Sequence, residues 1–121
     1  MKDYSKMSDF EINKAVAINR GGYQGHVEHM KHGVKESNRD SHGIFYFERD
    51  YCNNPSDAWP IIRGNDIMLN PNCADGLWKA EQGFREKPSG FYDVATAHNK
   101  NPLRAAMIVY LMTKDEEKWA K

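Results

Sequence analysis

Apolar positions recur at helical spacing in three stretches of the chain, each introduced by a capping residue. Ile12, Ala15, Val16 and Asn19 share one face at a 3.6-residue period. Ser8 and Glu11 stand ahead of them as a capping box, Met7 and Ile12 occupy staple positions, and Arg20-Gly21-Gly22 supplies a stop, which predicts a helix over 9–19. Two later starts are written almost alike: Asn54-Pro55 before SDAWPII, and Asn101-Pro102 before LRAAMIVYLM. In each, an Asn caps the helix and a Pro, its φ already fixed, takes the first helical position. The first predicts a helix from Pro55 to Arg63 that ends at Gly64 and is irregular at Pro60, where a backbone donor is missing. The second predicts a helix over 102–115, apolar on almost every side from Leu103 to Met112. Such a helix must be covered by a sheet and at least one other helix, which makes it the central core element.

Four segments carry a strand pattern: Ile44–Arg49 (IFYFER), Ile67–Leu69, Leu77–Gln82 and Phe91–Ala97. The last three are parted by turn clusters, Asn70-Pro71-Asn72 through Asp75-Gly76 and Lys87-Pro88-Ser89-Gly90, and short connections favour antiparallel neighbours. Residues 20–43 are glycine-punctuated and poor in branched apolar side chains, so they read as a polar surface loop or insertion. The expectation is one α+β domain over 1–121, with a small, mainly antiparallel sheet of three to four strands flanked by helices in an α/β/α-sandwich-like arrangement. The exposed aromatic content expected of IFYFER and FYDVATA makes a homodimer plausible, with an edge strand as one candidate seam.

Composition narrows the function classes. A chain of 121 residues can bury one core without metal or disulfide staples. Lys plus Arg and Asp plus Glu both number 17, which excludes a global positive field that would draw the whole molecule onto phosphate backbones. Cys52 and Cys73 lie far apart in no ligand-spaced array, so reduced thiols are expected. The opening MKDYSKMSDF is polar and no stretch reaches about 18 apolar residues, so the expectation is a soluble chain with no membrane segment and no classical export signal.

Arg104 is the one charge in ten residues of apolar helix, and it stands in a first turn where the macrodipole disfavours a cation. Either a carboxylate such as Asp57 or Glu11 compensates it, or Arg104 and the Asn101-Pro102 helix start form a seat for a phosphate or carboxylate ligand. Asn53, Asn54, Asp57 and Trp59 form a second cluster. Its plain reading is capping by the Asn side chains, an acid in the first turn and an indole filling the core; its binding reading turns Asn53 or Asp57 into a cleft. His26, His29 and His32 recur with Glu28 and, further on, His42, but match no strong zinc signature, so no metal site and no cofactor is assigned. Lys31, Lys35 and Arg39 give the same loop a modest basic character that Glu28, Glu36 and Asp40 dilute. No positioned acid–base or nucleophile set is visible, and no catalytic residue is assigned.

Three segments resemble the NinX-type family of small tailed-phage proteins: MSDFEINKAVA at 7–17, DYCNNPSDAWPII at 50–62 and NPLRAAMIVYLM at 101–112. More loosely, the helix bearing Asp57-Ala58-Trp59, followed by a Pro-started, Arg-bearing final helix, is similar to phage proteins described as α/β/α sandwiches. Residues 20–43 and 84–91 depart from the family pattern. The resemblance implies a phage-encoded protein working in the infected host cytoplasm, with no established catalytic residues. The leading expectation is a non-catalytic accessory protein, open to a counter-defence role, that binds a host protein or small anionic molecule in a groove near the two Asn-Pro helix starts. Two alternatives stand beside it: a nucleic-acid accessory factor in phage recombination or replication that uses Lys31, Lys35 and Arg39, and a small cysteine- or metal-dependent enzyme.

Overall fold

The computed structural model describes residues 3–71, 76–86, 88–90 and 92–119. After a single 3₁₀ turn at Tyr4–Lys6 comes the first helix, α1, at Asp9–Arg20. Both halves of its capping box form: the Glu11 N–H donates to Ser8 Oγ at 3.1 Å, and the Ser8 N–H donates to Glu11 Oε1 at 3.3 Å. Gly21 closes the helix in the left-handed region at φ 89°. Helix α2 spans Pro55–Gly64 and α3 spans Pro102–Trp119, so α3 runs one turn beyond its predicted end.

The strands divide into two antiparallel sheets of three, in an α+β fold. Strands β1 (Tyr23–His26), β2 (Val34–Asp40) and β3 (Gly43–Arg49) form one sheet in that order. Strands β4 (Met68–Asn70), β5 (Trp78–Glu86) and β6 (Tyr92–Asn99) form the other. The sequence predicted one sheet of three to four strands because β1 and β2 fall inside the segment read as a polar loop. They form because IFYFER supplies a regular partner. β2 and β3 pair without interruption from Val34↔Arg49 to Asp40↔Gly43, around the two-residue turn Ser41-His42. The Ser37 N–H donates to Gly22 O at 2.8 Å and ties β2 to the end of α1. A Cβ on Gly22 would meet that Ser37 oxygen at 2.5 Å, so only glycine permits the approach.

Helix α3 is the pillar of the core. Ala105 through Leu111 are all buried, Met107 and Val109 completely, as the all-round apolar pattern requires. It packs against the β4–β6 sheet and against α1 and α2, while α1 also carries β1 and β2. The helix is therefore covered on several sides, and each sheet covers helix with one face. Tyr110 keeps its polar tip satisfied by donating from its hydroxyl to Asn19 Oδ1 at 2.8 Å. Trp59 corrects an expectation. It is 57% exposed, because α2 buries Asp57, Ala58, Ile61 and Ile62 and turns residues 59 and 60 outward. Among the described residues no helix is long and apolar enough to cross a membrane. Cys73 lies outside the described residues; Cys52 is a buried free thiol.

Candidate functional site

The starts of the three helices converge on a polar clasp. Arg104 Nη1 donates to Asp9 Oδ1 at 2.6 Å, and Nη2 donates to the carbonyls of Met7 at 2.5 Å and Ser5 at 3.2 Å. Its compensating carboxylate is thus Asp9, in the first turn of α1, and not Asp57 or Glu11 as predicted. Asp9 lies opposite because the capping box fixes where α1 begins, a placement that depends on the fold and not on sequence spacing. The other oxygen of Asp9 accepts from Asn53 Nδ2 at 3.1 Å. Asn101 caps α3, accepting from the N–H groups of Leu103 and Arg104, and donates from Nδ2 to Cys52 O at 2.6 Å. Asn54 caps α2 by accepting from the Ser56 N–H at 3.0 Å. Buried Asn13, absent from the candidates, completes the clasp: Nδ2 donates to His32 O and to Asp50 Oδ1, and Oδ1 accepts from the Cys52 N–H. Arg104, Asn101 and Asn53 are brought together as the sequence suggested, with their polar atoms engaged on one another and on backbone.

Asp57 belongs to a second cluster. It accepts from Arg49 Nη1 at 3.1 Å and from the Asp50 N–H at 2.9 Å. Nearby, Arg20, Gly22, Glu36, Phe47 and Arg49 line a cleft of about 130 Å³. Glu36 is buried on the inner face of β2 and accepts from the hydroxyl of fully buried Tyr51, which itself accepts from Arg20 Nη1 at 2.5 Å. Arg20 Nη1 also lies 3.6 Å from Glu36 Oε1. Burial pushes the Glu36 carboxyl above its ordinary value of 4.5; the Arg20 and Arg49 guanidiniums oppose the rise and Asp57 adds to it. The folded chain then holds this proton more tightly than the unfolded chain. Its stabilising contribution is complete below 4.5 and is lost as pH rises through the folded value. As pH rises above 4.5, wild type is expected to lose thermal stability relative to Glu36→Gln, and midpoints of the two chains that keep a constant difference across the titration contradict the assignment.

Beyond the cleft the β2–β3 hairpin leaves the body of the protein. Ile44, Phe45, Tyr46 and Phe47 are 48, 45, 58 and 39% exposed, so β3 shows apolar side chains on both faces. By register, Phe45 and Phe47 share the inner face with Asn38 and Glu36, while Ile44 and Tyr46 share the outer face with Arg39 and Ser37. The Lys35 ammonium sits 4.8 Å from the centre of the Tyr46 ring.

Clasp, cleft and ribbon all fall within one family match: a family model described as Bacteriophage P22, NinX covers residues 3–114. The chain belongs to the NinX family. No curated protein matches it. The match runs through residues 20–43, which sequence reading had set apart from the NinX pattern, and in this NinX chain that stretch carries β1, β2 and Glu36.

Several residues singled out in the sequence do not converge in the NinX fold. His26 meets the Phe10 ring edge-on at 5.0 Å, His29 pairs with Glu48 at 2.6 Å, and His32 lies 3.9 Å from Asp9. Among the described residues no three His, Cys, Asp or Glu side chains are placed to hold a metal ion. Burial, reinforced by Asp9, drives the Cys52 thiol well above its ordinary range, which disfavours the thiolate a nucleophile needs. Lys35 and Arg39 lie on the outer face of β2, and Lys31 precedes that strand in a turn.

Proposed function

We propose that this NinX-family protein is a non-catalytic phage accessory protein of the host cytoplasm, open to a counter-defence role, that binds a host protein on the inner face of its β2–β3 ribbon. The observation that carries the reading is the exposure of four consecutive large apolar side chains, Ile44 to Phe47, where the other exposed large apolar side chains among the described residues, Ile18, Trp59, Met68 and Val94, stand singly along the chain. Phe45 and Phe47 offer aromatic anchors, and the Arg20–Glu36–Arg49 cleft beside them offers fixed charges to orient a partner. The groove between the Asn-Pro helix starts has less to offer a ligand, since the Arg104 guanidinium already holds a carboxylate and two carbonyls. A small anion bound at the clasp would have to displace Asp9. In co-purification from infected cells, the wild-type chain is expected to retain a host protein that the Phe45→Ser/Phe47→Ser variant loses. Equal recovery with both chains refutes the reading.

The outer face supports a second reading, contact with single-stranded nucleic acid. Lys35 over Tyr46, with Arg39 four residues further along β2 on the same face, joins a base-stacking ring to phosphate-binding charge. A gel-shift series in rising salt would then show binding that weakens steeply with salt and vanishes when Lys31, Lys35 and Arg39 are neutralised.

A further inference from the structure

Strand β3 ends its sheet with an edge that no proline, charge or bulge interrupts from Gly43 to Phe47. Among the described strands, β1 is short and carries an irregularity between Tyr23 and Gly25, β4 has three residues, and β6 faces a register shift between Gly83 and Arg85. By contrast β3 pairs regularly over seven residues, and from Gly43 to Phe47 it has neither proline nor charge.

The direction of the edge groups follows from one hydrogen bond. Because the Ser37 N–H points to Gly22, the residues of β2 that face β3 are Val34, Glu36, Asn38 and Asp40. Their partners on β3 are Arg49, Phe47, Phe45 and Gly43. The N–H and C=O groups of Ile44, Tyr46 and Glu48 therefore face outward, away from β2.

We infer that this edge pairs with the β3 edge of a second copy of the chain, antiparallel about a two-fold axis at Tyr46, to make one continuous six-stranded sheet. The sequence of the strand is complementary to itself in that register. Ile44 stands opposite Glu48 of the second copy and Phe45 stands opposite Phe47 of the second copy, so four phenylalanines meet on the inner face. On the outer face Arg39 neighbours Ile44, which places Arg39 and Glu48 of the second copy on either side of Ile44, two strand spacings or about 9.6 Å apart and within joint side-chain reach. Symmetry repeats the pair. Centring the axis on Phe45 or Phe47 separates these charges, so charge complementarity selects Tyr46. Lys35 lies beside Glu48 on the same face, so Lys35, Glu48 and Arg39 of the second copy alternate in sign across the seam. With 17 basic and 17 acidic residues, two copies approach without net repulsion.

The pairing shares Phe45 and Phe47 with the host-partner reading, but it rests on the outward backbone groups of Ile44, Tyr46 and Glu48, which that reading does not use. Sedimentation velocity of the full chain, from low micromolar to several hundred micromolar, is expected to show the mass rising from 14.0 kDa to twice that value. Tyr46→Pro removes an N–H that faces away from β2 and is expected to raise the dimer Kd at least about tenfold, with the far-ultraviolet spectrum and melting temperature kept. Arg39→Glu is expected to weaken the dimer, and Glu48→Arg added to it to restore affinity. The inference is overturned by a wild-type chain that stays at 14.0 kDa throughout, even if it gains mass with a host protein, by a Tyr46→Pro variant that folds and dimerises like wild type, or by failure of the charge exchange to restore affinity. A Tyr46→Pro monomer that still retains the host protein separates this inference from the partner reading.

Discussion

Arg104→Met is expected to lower unfolding free energy by about 3 kcal/mol and the melting temperature by roughly 10 °C, while leaving capture of a host protein intact below the new transition. The Arg104 side chain is 12% exposed, and its loss strips Asp9 of its cation and leaves the Met7 and Ser5 carbonyls without their donor. Those contacts join the N-terminal turn and α1 to α3, elements almost a hundred residues apart in sequence. Methionine fills similar volume but replaces none of these hydrogen bonds. Differential scanning calorimetry measures the change, and a loss below about 1 kcal/mol would mean that the clasp is not a main structural tie.

Asn13→Leu is expected to cost about 3 to 5 kcal/mol, through polar groups left unpaired and not through volume. Asn13 is fully buried, and its amide serves the His32 carbonyl, the Asp50 carboxylate and the Cys52 N–H at once. Leucine is close in size and apolar, so it leaves all three without that partner. Asp50 retains Asn53 as a donor, which limits the cost at that oxygen. Urea unfolding should show a lower midpoint with an unchanged slope, and a loss under 1 kcal/mol would contradict the network.

The helices were legible because their signals are local. The capping box at Ser8 and the prolines at 55 and 102 fix the starts within one turn of chain, and the all-round apolar run from Leu103 to Met112 announces the buried pillar. What stayed hidden depends on partners distant in sequence. β1 and β2 are too polar to read as strands by composition, and their pairing becomes favourable only with β3 beside them and α1 beneath Val34 and Glu36. The one local hint was the Asp40-Ser41-His42-Gly43 turn, which leads straight into IFYFER and marks a hairpin whose second arm was recognised and whose first was not.

The candidate residues followed the same division. Asn54 and Asn101 explain themselves as caps within three residues. Arg104 was flagged by its misplaced charge, but its partner Asp9 is 95 residues away and had no local signature. A glutamate in a polar run and a tyrosine before a helix carry no local signal, so Glu36 and Tyr51 stand out only once the alternation of Val34 and Glu36 along β2 turns the acid inward. The exposed aromatic content expected of IFYFER is found, with Ile44 to Phe47 all open to solvent, although periodicity alone does not separate such a strand from a buried one.

The proposed division of the molecule is into a clasp that holds the fold and a ribbon that meets other molecules. Its most direct test measures thermal midpoint and host-protein capture side by side for Arg104→Met and Phe45→Ser/Phe47→Ser. The predicted result is a dissociation: the Arg104 variant melts early yet captures when folded, and the ribbon variant melts like wild type yet captures nothing. Capture lost with Arg104→Met in the folded state, and kept when both phenylalanines are replaced, would contradict the account.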